Sequence, residues 1–324
     1  MKSTINATAM LLMLVAVMLM ASAVRAQDRQ IIDETRLVSA NERITLDVMR
    51  GQATIRAGND NTFSVKGLLD EQAEGFELES SNGFTRFIVR MPRGSRGWNS
   101  RRGDGSELEI TVPANSEVEF SGVNAGVDIA GVLGGARVTT VNGQINARGL
   151  GEQVHLKTVN GGITSENNRG RINIETVNGE VSDRGSEGRL SAEAVNGELR
   201  IDSRAEEVRL SVVNGQIEAE LRGAQSLDFN GVNGEITIRL SNSVAPRVRG
   251  GSVSGRIELS VDRNIDARFN LQTNVGSRLE NELTSDEARR PQFGPGRSLQ
   301  FTTGQGTGAV DISTVSGAIN LEVN

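Results

Sequence analysis

Acid–base chemistry in this chain would have to run through a single histidine and its carboxylates. His155 is the only histidine and there is no cysteine in 324 residues, which excludes thiol nucleophiles and zinc sites of the usual His/Cys type. A serine triad would need His155 as its base, and no Gly-x-Ser-x-Gly elbow is present to meet it. Carboxylates are better placed. Glu180 and Glu198 fall 18 residues apart in the series Gln144, Gly162, Glu180, Glu198, Gln216, Glu235. If those positions stack, two acids one strand spacing apart would attract a cation or a proton. Parallel β-helix enzymes acting on acidic polysaccharides use such acids with calcium. The glycine-rich nonapeptide that brings an Asp into every calcium-binding repeat is absent, however, and a chain that is 3% aromatic, with no tyrosine, is short of platforms for sugar rings. Gly304-Gln305-Gly306-Thr307-Gly308 matches part of a phosphate loop, but no helical pattern follows it and it reads as a turn. The expectation is no catalytic residue, no metal ligand and no cofactor. A polysaccharide lyase or hydrolase using surface carboxylates is the competing expectation.

What would position these residues is a repeat. Asn-Gly pairs begin at Asn142, Asn160, Asn178, Asn196 and Asn214, 18 residues apart each time, with Asn233 one residue late. Ser254-Gly255 and Ser316-Gly317 read as degenerate later corners, and Val123-Asn124 as an imperfect first one. In that frame Ala136, Val154, Ile172, Leu190, Val208 and Leu227 fall in one column, and Val138, Leu156, Ile174, Ala192, Leu210 and Phe229 in another. Beyond the corner, Ile145, Ile163, Val181, Leu199, Ile217 and Ile236 make a third. The first two columns lie two residues apart, which is the period of a strand and not of a helix. The fold class expected is all-β: a single-stranded parallel β-solenoid of 18-residue coils, each with a strand, a Val-Asn-Gly corner, a second strand and a polar return. Columns between the apolar ones should face solvent. Arg148, Glu166, Arg184, Asp202, Glu220 and Arg239 change sign at nearly every step, as stacking at ~4.8 Å would favour. His155 shares an outward column with Arg137, Asn173, Ser191 and Arg209 and reads as a solvated face residue. The corner residues Asn142, Asn160, Asn178, Asn196, Asn214 and Asn233 are expected to form a structural amide ladder. Asn and Gly there would turn the chain by tolerating positive φ.

The flanks are less regular. Lys2, the apolar run from Ala9 to Met20 and the small residues up to Ala26 read as a signal peptide over residues 1–26. About a dozen apolar residues are fewer than the roughly 20 that span a bilayer. Its removal takes away Lys2 and Arg25 and leaves 33 basic against 41 acidic side chains, a formal net charge of about −8. That balance argues against nucleic acid, which needs a basic surplus. No later run would cross a membrane, and an exported chain without cysteine has no disulfide framework. Residues 27–117 alternate in short stretches such as Arg43–Val48 and Phe84–Val89 and read as an N-terminal β-strand region or cap. Within it, residues 93–105 form a basic loop with the only tryptophan. Its Arg93, Arg96, Trp98, Arg101 and Arg102 are candidates for contact with an anionic envelope surface. Residues 118–324 read as the solenoid, interrupted by an ejected loop at about 281–297 that carries Pro291 and Pro295.

The Leu-x-Ile-x-Val-Pro-Ala-Asn strand entry at Leu108–Asn115, the signal segment and the recurring Val-Asn-Gly-x-Ile coils together resemble the bacterial putative-adhesin family, a domain of unknown function in envelope proteins. The resemblance covers roughly residues 40 to 324. It implies a β-solenoid displayed outside the cytoplasm and brings no catalytic residues with it. The expectation is thus a non-enzymatic exported envelope protein, periplasmic or at the cell surface, serving as a scaffold or adhesin-like surface. Its partner would be an envelope or surface component, glycan or protein, and not nucleic acid. Self-association through open coil ends is a further expectation.

Overall fold

Strand alternation turns into strands throughout the chain. The computed structural model describes residues 29–92, 104–274, 278–290 and 295–324. Residues 1–26, read as the signal peptide, and Arg93, Arg96, Trp98, Arg101 and Arg102 of the basic loop lie outside the described residues. Those described hold one 26-stranded sheet and no helix.

Strands that precede the corners lie parallel to one another. Ala136–Thr139 sits between Glu117–Ser121 and Gln153–Asn160, and the series continues through Arg169–Asn178, Glu187–Ser203 and Glu207–Arg222. Strands that follow the corners make a second face, from Asn124–Ala130 through Ile145–Arg148 and Ile163–Glu166 to Val181–Arg184. Ile145 faces Ile163 and Ile163 faces Val181. The resulting shape is solenoid-like, with the apolar columns of both faces pointing into one continuous buried core. Those columns hold the register, because a slip of one residue would turn every core side chain outward. Each Val, Leu or Ile removed from water contributes ~1.5–3 kcal/mol. Volume is matched between levels as well. Phe229 stands in register with Gly250, whose Cβ, if present, would lie 2.5 Å from the Phe229 ring.

Near both ends of the stack, segments distant in the chain are interleaved instead of following one another in order. Arg43–Asp47 lies between Phe84–Arg90 and Glu117–Ser121, and Arg50–Gly58 lies between Ser106–Pro113 and Asn124–Ala130. The sheet therefore runs unbroken from residue 43 into the corner repeat. At the far end Gly308–Ser316 is inserted between Arg247–Ser254 and Ala267–Thr273, so Ser254 faces Ser316 across a long excursion of the chain. Antiparallel strands then cover the outermost levels: Gly75–Ser81 on Phe84–Arg90, Thr62–Leu68 on Ser106–Pro113, Ile31–Leu37 on Thr62–Leu68, and Arg297–Thr302 on Ala267–Thr273. Phe269 and Phe301 stack 4.5 Å apart in the last of these pairs. Antiparallel layers at both ends leave few unpaired parallel edges for another chain to extend.

Candidate functional site

The corner is the most regular part of the surface. Asn142 donates from Nδ2 to Asn124 Oδ1 at 2.8 Å, Asn160 to Asn142 and Asn178 to Asn160 at the same distance, Asn196 to Asn178 and Asn214 to Asn196 at 3.0 Å, and Asn233 to Asn214 at 3.1 Å. The positive-φ expectation holds only at later corners, where Gly215, Gly234 and Gly255 have φ of 154°, 142° and 136°. None of these asparagines has positive φ, and Gly143, Gly161, Gly179 and Gly197 are outside the left-handed region too. Glycine is needed there because the backbone of the level below passes too close for a side chain: a Cβ on Gly179 would lie 2.0 Å from the Gly161 carbonyl oxygen. The valine before each corner leans outward: Val141, Val195, Val213 and Val232, with Val253 before Ser254, are exposed, and Val159 and Val177 are half-buried. This apolar ridge beside the amide ladder was legible from strand phase, since Val159 alternates with Thr158 in step with the outward Lys157 and His155.

The acids that suggested chemistry are engaged. Glu180 and Glu198 do stack through the column, but Arg200 reaches between them, pairing with Glu180 and, at 2.7 Å, with Glu198 Oε2. The same habit covers Arg148–Glu166 at 2.7 Å, Lys157–Glu175 at 2.7 Å and Arg239–Glu220 at 3.0 Å. Among the described residues no three His, Cys, Asp or Glu side chains come together as metal ligands would. The phosphate-loop fragment is a turn closed by the chain's own anion. Asp266 accepts from the Gly306 and Thr307 backbone at 2.6 and 3.3 Å and from Thr307 Oγ1 at 2.7 Å, and the Thr307 hydroxyl chiefly holds its carboxyl below the usual range.

Three buried acids escaped the sequence reading, Glu42, Asp70 and Asp183, and the last lies within the repeat. Asp183 falls in the interior column Ala147, Ser165, Asp183, Ile201 and is 2% exposed. Its Oδ1 accepts from Ser165 Oγ and Ser186 Oγ at 2.5 Å each, while Oδ2 has no hydrogen-bond partner. Asn168 completes the cluster, donating to Ser165 Oγ at 2.9 Å and accepting from the Leu150 amide at 2.8 Å. Burial pushes the Asp183 carboxyl up to about 6, against the two serine hydroxyls, with Asp202 adding to the rise. The signal was available: a charged residue in a column otherwise filled by small or apolar ones.

His155 is half-buried, not fully solvated, and its Nδ1 lies 3.0 Å from Asn173 Nδ2. Burial lowers its pKa first of all, with Arg137 and Lys157 helping and Glu175 opposing. It lines a groove of about 550 Å³ with Arg137, Gln153 and Arg171, and this groove continues into a second of about 410 Å³ lined by Arg189, Ser191 and Arg209. Arg171 and Asn173 belong to both.

Stacked parallel strands, a corner ladder and a paired-charge surface define an all-β, solenoid-like repeat protein. The chain belongs to the Toastrack DUF4097 family, whose model matches residues 41–322. Three solved structures are similar to it: a "putative cell adhesion protein" from Clostridium sporogenes at 11% identity and TM-score 0.24, covering 91% of this chain and 100% of that one; a "putative lipid binding protein" from Parabacteroides distasonis at 13% and 0.42, covering 89% and 96%; and a "putative adhesin" from Bacteroides fragilis at 12% and 0.33, covering 91% and 98%. No curated protein matches the chain.

Proposed function

We propose that the protein is a non-enzymatic, exported envelope component: a single-stranded parallel β-solenoid of 18-residue coils whose rigid outer faces serve as a scaffold or adhesin-like binding surface. The observation that carries this reading is the state of the outward carboxylates. Glu180 and Glu198, the pair best placed for glycan chemistry, are bridged by Arg200 and so spent on structure. The 18-residue step between partners such as Asn160 and Asn178 supports the coil length. A stack in which each level touches only its neighbours leaves long faces open to a partner. No helix among the described residues is long and apolar enough to cross a membrane. Export rests on residues 1–26, and the reading of residues 27–117 as a cap is supported by the antiparallel strands there. The basic loop 93–105 is an accessory contact in this reading, and the partner is an envelope glycan or protein.

Two measurements test it. Purified protein is incubated with anionic glycans and the products are followed by reducing-end assay, and in parallel its retention of envelope extract is measured with and without residues 93–105. Saturable retention with no turnover supports a binding surface. Turnover that disappears in Glu180→Gln/Glu198→Gln would establish the enzyme instead. Light scattering against concentration tests self-association through the ends of the stack.

A further inference from the structure

The groove beneath His155 departs from the charge pairing of its surroundings. On neighbouring positions of the same strands Arg169 meets Glu187 at 3.2 Å and Lys157 meets Glu175 at 2.7 Å. Arg171, by contrast, stands in register between Gln153 and Arg189. Like charges opposite each other on parallel strands repel. Arg189 is relieved by Glu207 at 2.9 Å, but Arg171 has no carboxylate within 4.0 Å among the described residues. The same is true of Arg137, whose register neighbours are Glu119 and His155. Two guanidiniums outside any close ion pair among the described residues thus line two adjoining grooves that share Arg171 and Asn173, with the half-buried His155 in the first.

We propose that this groove binds a linear acidic polysaccharide, a sugar chain bearing carboxylate or sulfate groups, with Arg137 and Arg171 as its anion-binding residues. The inference rests on the binding-surface reading above and adds the site and the ligand class. Three features select that class. Guanidinium forks suit the planar, bidentate acceptors of a carboxylate, and two of them in one groove suit anions that recur along a chain. Glu117, Glu152, Glu207 and Asp228 also line the groove, where their oxygens can accept hydrogen bonds from the hydroxyls of a sugar chain, groups that a phosphate polymer lacks. No aromatic ring lines it, so stacked nucleobases have no platform. His155 and Asn173, joined at 3.0 Å, supply neutral polar contacts at the centre.

The test uses fluorescently labelled oligogalacturonate as probe in a polarisation assay on the purified protein. Arg137→Gln/Arg171→Gln should weaken binding about tenfold or more, and binding to the intact protein should weaken with salt. Arg148→Gln, on the other face, should leave affinity within about twofold, as expected for a surface charge outside the groove. Dextran, uncharged, should not compete. The proposal is overturned if the double variant binds like the intact protein while circular dichroism shows it folded, if Arg148→Gln loses as much, or if neither oligogalacturonate nor a sulfated glycan binds. Competition by inorganic polyphosphate equal to that of the uronate would overturn it in favour of a phosphate polymer. A double variant that loses nothing yet still retains envelope extract would remove the groove and leave the binding-surface reading standing. Glycan cleavage by the intact protein would remove that reading first.

Discussion

Replacing Asp183 with asparagine should change how stability depends on pH, more than it changes stability at any one pH. The folded carboxyl is raised from 3.8 to about 6, and at 1.36 kcal/mol per pH unit its ionised form costs the native state ~3 kcal/mol. The sign follows from linkage. A group whose folded pKa lies above its unfolded value binds its proton more tightly in the native state, so its favourable contribution is complete below about pH 4 and is lost as pH rises through about 6. The intact protein should therefore forfeit ~3 kcal/mol of this contribution between pH 4 and pH 8, and Asp183→Asn should not. The asparagine leaves a buried donor where Oδ2 already lacks a partner. That penalty is the same at every pH and cancels from the comparison. Urea unfolding followed by circular dichroism at several pH values, with the variant subtracted from the intact protein, isolates the effect. Carboxyls held low, such as Glu175 through its hydrogen bond from Lys157, push the total the other way in acid but appear in both proteins and drop out. Parallel pH profiles for the two proteins would refute the reasoning.

Other substitutions test the packing. Gly179→Ala should destabilise by ~1–3 kcal/mol or more, because its Cβ meets the Gly161 carbonyl at 2.0 Å, and this should lower the urea midpoint. Gly250→Ala should cost a similar ~1–3 kcal/mol against the Phe229 ring; adding Phe229→Leu should recover part of it in a double-mutant cycle, and strict additivity would count against the match. Arg200→Gln should lower the urea midpoint only slightly at low salt and less still at high salt, since its pairs with Glu180 and Glu198 are exposed and screened. A loss insensitive to salt would show that packing of its stem, not charge, is what matters.

Much of this architecture can be read from residue order alone, because every level of the stack repeats one solution to the same problem. Ile145, Ile163 and Val181 announce a shared column by their spacing, and their register partners follow from it. The amides of Asn142 to Asn233 are likewise legible, since identical polar groups at one corner can hardly avoid one another. Periodicity cannot report what breaks it. The interleaving of residues 43–58 beneath 117–130, and of 308–323 between 247–261 and 267–281, joins segments with no common spacing. The role of the corner glycine was also hidden: a 2.0 Å approach between levels depends on how closely neighbouring backbones pack, which no single coil reveals. Charges followed the same division. Alternating signs foretold the pairing of Arg148 with Glu166, yet Arg200 could reach back to Glu180 or on to Glu218, and a long side chain's choice is made by three-dimensional neighbours. Arg171 against Arg189 follows from the 18-residue spacing, but that Arg171 finds no close carboxylate and lines a groove depends on where the long side chains of neighbouring levels reach.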